Sequence, residues 1–183
     1  MSGSPRERVA ALVRERGEAS VVAYCAGLLD GDDPRVDEEA LLQLGGLHAR
    51  AGLDYDNLDY WPRVWAARAL LYVWSPDITP NLVRALDDPA WRVAENAMRV
   101  MARREIAEGV DKAVLLRAHQ LPRVRATVVR LVGLVGESDH ADVLLEALDD
   151  PEVSVRAAAE RAIERMEGRL DIDLESREIN RFD

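Results

Sequence analysis

The sequence predicts an all-α fold, a right-handed α-solenoid of about five antiparallel helix pairs. Three observations carry that expectation. Of 183 residues, 48% are apolar but only 5% aromatic, and the apolar ones are mainly Ala, Val and Leu, which suit packed helices better than stacked sheets. Two segments, LDDPAWRVAENAMRVMAR from Leu86 and LDDPEVSVRAAAERAIER from Leu148, align without a gap at an offset of 62. Halving that offset to 31 brings two further copies into register. Self-similarity at such a period marks stacked repeat architectures.

The register is visible in four columns. One reads Pro62, Val93, Val124, Val155 and the next Ala66, Ala97, Val128, Ala159. Ala69, Val100, Leu131, Ala162 follow, and beside them Leu70, Met101, Val132, Ile163. Within each unit these positions fall at i, i+4, i+7 and i+8, one face of a helix. The segment WPRVWAARALLYVW (61–74) is therefore the second helix of its unit. First helices are expected over DITPNLVRALDD (77–88), GVDKAVLLRAHQ (109–120) and DHADVLLEALDD (139–150). DDP separates the two helices: Asp caps orphan N–H groups, and Pro suits a first turn where its missing N–H has no partner to lose. VGESD (135–139) reads as the turn to the next unit. GLLDGDDPRVDEEALLQLGG (27–46) is a degenerate unit out of phase, and the first thirty residues read as a capping pair. The expected organisation is one solenoid domain over 1–166. It comprises capping and degenerate repeats over 1–52, an inserted acidic loop at 54–59, regular repeats over 62–166, and a charged tail over 167–183.

LDDPEVSVRAAAERAI and its three partners in that register resemble the HEAT repeat in its short form of about 30 residues, the phycobilisome-lyase-type HEAT-like repeat. The resemblance covers about 62–166. It implies that the arginine after the first core position (Arg63, Arg125 and Arg156, with Ala94 interrupting) bonds an Asp in a nearby turn, with Asp88 and Asp150 as candidate acceptors. His119 shares the column of those two acids and reads as a turn residue. No unit carries the T-P-L-H opening of ankyrin repeats.

The net charge of −10 is unevenly distributed. Residues 1–60 carry 6 basic and 12 acidic side chains, 61–135 carry 12 and 7, and 136–183 carry 6 and 15. A basic middle thus lies between acidic ends. The amino terminus lacks the apolar centre of a signal peptide, and no run of about 18 apolar residues exists, so a soluble cytoplasmic protein without membrane contact is expected. The single cysteine, Cys25, has no intramolecular disulfide partner and reads as a buried, inert thiol.

A second arginine column is unbroken: Arg68, Arg99, Arg130, Arg161. With Val155 at zero and 100° per residue, the core of the last helix centres near about 30° and Arg161 falls at about 240°, roughly opposite. Such a row is either a solvated helix face or a binding surface of roughly 30 Å, given helix spacings of about 8–10 Å. Arg68 and Arg130 have no acid at i±3 or i±4, which favours a partner surface over local pairing. Trp61, Trp65 and Tyr72 share the open side with Arg68, and their counterparts further along include Arg92, Arg103 and Arg123. Exposed Trp, Tyr and Arg are the types enriched at interaction hot spots, and Arg over Trp makes a cation–π pair. The alternative is that the LDYDNLD loop folds over these rings. Trp91, in a column with Tyr60, Pro122 and Val153, is assigned to packing.

No catalytic constellation is evident. LDYDNLDYWPRVWAAR (53–68) fails as a calcium loop, because the position for Gly holds Asp59 and the position for Glu holds Trp65. His48, His119 and His140 have no His or Cys at metal-ligand spacing, and no phosphate loop or nucleophile elbow occurs. No cofactor or metal is expected. The expected activity is a non-enzymatic protein-interaction scaffold presenting Trp61, Trp65, Arg68, Tyr72, Arg92, Arg99, Arg103, Arg123, Arg130 and Arg161 to an acidic segment or helix. The alternative is nucleic-acid binding, resembling alkylpurine DNA glycosylases of the HEAT-like type, which the acidic ends oppose.

Overall fold

The computed structural model describes residues 3–174, and among them the fold is all-α, with eleven α-helices and no strand. Local chemistry sets the boundaries. α1 (Pro5–Arg16) starts on a capping box in which Ser4 Oγ accepts from the Glu7 amide and the Glu7 carboxylate accepts from the Ser4 amide. α2 (Glu18–Asp30) ends at Gly31, and α3 (Glu38–Gly45) is capped by Asp37, which accepts from the Ala40 amide at 3.0 Å. α4 (Leu47–Asp54), α5 (Trp61–Ala69), α6 (Thr79–Ala85) and α7 (Trp91–Arg104) follow. After them come α8 (Val110–Val114), α9 (Pro122–Val135), α10 (Ala141–Ala147) and α11 (Val153–Leu170).

Contacts divide the chain into two units, Met1–Val100 and Met101–Asp183. In the first, α5 packs against α2 and α3, and α1 packs against the same two helices. In the second, α9 and α11 run along each other, and α10 lies against both. The α9–α11 approach is close because Gly133 has no side chain: a Cβ there would stand 2.6 Å from Ala162 Cβ and 2.7 Å from its Cα.

The repeat columns are the core. Fifteen of their sixteen residues are buried, and only Ile163 is half-exposed. Burial at this period stabilises each second helix through one apolar stripe. Two helices differ in length from the sequence reading. α5 stops at Ala69 instead of continuing to Trp74, because the amides of Leu71 and Tyr72 turn to carbonyls three residues back, Arg68 O at 3.2 Å and Ala69 O at 2.8 Å. This tightening lets Leu70 and Val73 both be buried. α11 runs through the expected tail boundary to Leu170, and Leu174 is buried with its amide on Glu167 Oε1 at 2.8 Å. Residues 175–183 of the expected tail lie outside the described range.

The DDP turns share one device. Asp33, Asp88 and Asp150 each accept from the amide two residues on, at 2.9, 2.8 and 2.9 Å. His119 does the same with Nδ1, accepting from the Leu121 amide at 3.0 Å. Asp88 also receives Arg63 Nε at 2.6 Å, and Asp150 receives Arg125 Nε at 2.7 Å and Nη2 at 2.8 Å. Arg156 instead donates to the carbonyls of Asp150 and Pro151 at 2.7 and 3.0 Å. Cys25 is fully buried, and burial pushes its thiol up to about 12, which keeps it protonated and unreactive at neutral pH.

Candidate functional site

The loop before α5 positions the aromatics. Leu58 is buried with its side chain against Gly52 of α4, while Tyr55 is 83% exposed and Asp54, Asp56 and Asp59 face solvent. Asp56 and Asp59 adopt left-handed backbone angles, φ 50° and 46°, which Asp tolerates better than most residues. Arg35 pairs with Asp56 and tethers the loop. Anchored this way, the loop leaves Trp61 38% exposed at the head of α5.

Around Trp61 the rings and one guanidinium form a layered cluster. Tyr60 and Trp61 stack with centroids 5.2 Å apart, and Trp61 and Trp65 with centroids 6.2 Å apart. Arg92 Cζ lies 5.5 Å from the Trp61 ring centre and 4.3 Å from that of Trp91. Its Nη1 donates to the Tyr60 hydroxyl at 3.2 Å. Trp61 and Arg92 are one repeat period apart, so the contact joins equivalent positions of successive second helices. A cleft of about 400 Å³ opens beside the cluster, lined by Asp59, Tyr60, Arg63, Trp91 and Arg92 among others. Another, of about 330 Å³, is lined by His48, Tyr55, Asn57, Trp61 and Trp65. An apolar group entering either cleft would meet aromatic faces, and in the larger one it would lie beside a cation held in place by two indoles.

The structure separates the predicted site residues. Trp65, expected on the open side, belongs to the core at 3% exposure. α3 covers it: Gly45 has no Cβ, and one placed there would stand 2.6 Å from Trp65 Cε3. Arg68, also expected opposite the core, is half-buried and donates Nη2 to the Leu44 carbonyl at 2.9 Å, since α3 packs on that side of α5 as well. Tyr72 is 40% exposed. Arg99, Arg130 and Arg161 are exposed, and none carries an ion pair among the described residues. Arg103 and Arg123 are exposed on α7 and α9. Tyr60 and Trp91, read as packing residues from their column, flank the cluster. The signal available in the sequence was the register itself, which pairs Tyr60 with Trp91 and Trp61 with Arg92.

The histidines serve local roles: His119 caps its turn, His140 Nε2 lies 2.8 Å from Asp111 Oδ1, and His48 lines the smaller cleft. Among the described residues no group of three His, Cys, Asp or Glu stands at metal-holding distance, and no helix is long and apolar enough to cross a membrane. No protein-family model matches the chain, and no curated protein matches it.

Proposed function

We propose that the chain is a HEAT-like α-solenoid acting as a non-enzymatic protein-interaction module, whose contact centre is the Trp61–Arg92 cluster. The observation that carries this reading is the exposed indole of Trp61, stacked on Tyr60 and capped by Arg92: Trp61 lines a cleft of about 330 Å³, and Tyr60 and Arg92 line one of about 400 Å³. Rigid, part-exposed Trp, Tyr and Arg beside a pocket are the features of a binding hot spot, because each brings large contact area at little entropic cost. The repeat register supports the solenoid, as does the spacing of 25 residues in both Arg63–Asp88 and Arg125–Asp150. The exposed arginines Arg99, Arg130 and Arg161 favour an acidic segment or helix with an apolar anchor.

Recovery of partners from native lysate on wild-type, Trp61→Ala and Arg92→Gln baits tests this reading. A protein retained by wild type and reduced at least ten-fold on both variants is expected. Equal recovery on all three baits would remove the cluster as a contact site. Retained material that is nuclease-sensitive, with affinity falling about 0.9 log units per log of salt for each phosphate contacted, would replace it with nucleic-acid binding.

A further inference from the structure

Two arginines donate to the last carbonyls of α3. Arg8 Nε donates to the Gln43 carbonyl at 2.9 Å, and its Nη1 donates to the Gly3 carbonyl at 2.5 Å. Arg68 Nη2 donates to the next carbonyl, Leu44, at 2.9 Å. Gly46 lies under the Arg8 guanidinium, so close that a Cβ there would stand 3.1 Å from Cζ. Neither arginine carries an ion pair among the described residues. Two guanidiniums offer ten N–H donors in all, and with three bonded here about seven remain. Burial, and after it the charge of Arg8, pushes Arg68 below the ordinary arginine value, while the Tyr72 phenol acts in the opposite sense. Like charges held together without a counterion are an unfavourable arrangement that a bound anion relieves.

We propose that Arg8 and Arg68 bind a doubly charged oxyanion, the phosphoryl group of a phosphorylated side chain on the protein partner. The proposal rests on the interaction-module reading above. A carboxylate carries one negative charge and would leave one guanidinium uncompensated. A phosphorylated side chain carries about −1.5 to −2 with three acceptor oxygens, which matches two arginines in charge and donor number. Paired arginines are a recurring solution for this group. Trp61 and Arg68 are seven residues apart in α5, about 10 Å along the axis, with the end of α3 covering Trp65 between them. The phosphorylated Ser or Thr is therefore a contact separate from the apolar anchor at Trp61, reached on the far side of α3.

The test uses the full chain labelled for arginine side-chain NMR, titrated with inorganic phosphate and with chloride at matched ionic strength. A short phosphoserine peptide and its unphosphorylated twin form the second arm. Expected results are saturable movement of the Arg8 and Arg68 Nε–H signals with phosphate but not chloride, and phosphopeptide binding at least ten-fold tighter than the twin. Arg8→Gln should weaken both at least five-fold with its helical circular dichroism unchanged. It decides the matter even where Arg68→Gln disturbs folding. Equal responses to chloride, or phosphate affinity unchanged in Arg8→Gln, would overturn the subsite. Phosphate binding with no preference for the phosphopeptide would overturn the assignment to a partner side chain. Partner loss on Trp61→Ala with immobile arginine signals sinks the subsite and leaves the module. Saturable phosphate binding with recovery unaffected by Trp61→Ala sinks the module, and with it the partner as the source of the phosphoryl group.

Discussion

Arg125 holds Asp150 through two parallel hydrogen bonds, Nε to Oδ2 at 2.7 Å and Nη2 to Oδ1 at 2.8 Å, across 25 residues of sequence. Arg63 and Asp88 repeat the pair at the same separation. The intervening unit has Ala94 and His119 at those positions, so the arginine is absent where the carboxylate is absent. A turn cap needs only an acceptor, which His119 Nδ1 supplies; a buried guanidinium needs an anion, which a neutral imidazole does not supply. The two columns thus change together for a physical reason.

Removing one partner should be costly, because the side chains of Arg125 and Asp150 are only 13% and 10% exposed. Asp150→Asn is expected to destabilise the chain by about 2–3 kcal/mol at pH 7 in urea melts. The bond from Arg125 holds the Asp150 carboxyl below its ordinary value, and that of Arg125 is raised by the same bond. A depressed carboxylate stabilises the fold above its unfolded value of about 3.9, and the contribution is lost as pH falls through the lower folded value. The gap between wild type and Asp150→Asn should therefore narrow below about pH 4. A gap that stays constant down to pH 2 would show that the carboxylate charge is not what holds the pair.

Gly133→Ala probes the α9–α11 contact. The added methyl would stand 2.6 to 2.9 Å from three atoms of Ala162, two of them backbone, so the helices must separate. A loss of about 1–3 kcal/mol is expected despite the better helix propensity of Ala. An unchanged or higher melting temperature would mean that the two helices part easily. Val128→Asp, at a fully buried site, should abolish the cooperative transition.

The sequence and the structure agree where a contact recurs. The 31-residue columns named the core because each position is tested four times against one face, and the Asp–Pro turns followed from side-chain chemistry alone. The same register placed Arg92 one period after Trp61. Trp65 and Arg68 were misplaced because the repeat supplies one buried face per helix, whereas α5 is packed by both α2 and α3. The covering helix belongs to the irregular part of the chain, and its contact with Trp65 depends on the missing side chain of Gly45, twenty residues away. Nothing periodic announces such a pairing. Arg8 was likewise invisible, since its ties to Gln43 and Gly46 are tertiary contacts outside the repeat register.

The exposed members of the arginine column should be dispensable for folding. Arg99→Glu, Arg130→Glu and Arg161→Glu combined are expected to leave far-UV circular dichroism unchanged and to alter stability by no more than about 1 kcal/mol, because each is exposed and carries no ion pair among the described residues. Binding of an acidic partner should weaken, chiefly through slower association. Loss of helicity would mean that these side chains support the fold.

Trp61 and Trp65 stack on each other, yet their replacements should act on different properties. Trp65 is 3% exposed against Gly45, so Trp65→Ala should open a cavity and cost about 3–5 kcal/mol in chemical denaturation. Trp61 is 38% exposed and lines a cleft, so Trp61→Ala should cost no more than about 1–2 kcal/mol while reducing partner recovery at least ten-fold. Intrinsic fluorescence gives a second readout: acrylamide should quench the Trp61 contribution strongly and that of Trp65 weakly, as seen by comparing wild type with each single Trp→Phe variant. A Trp61→Ala chain as unstable as Trp65→Ala would assign Trp61 to the core too, and the contact centre would have to lie elsewhere.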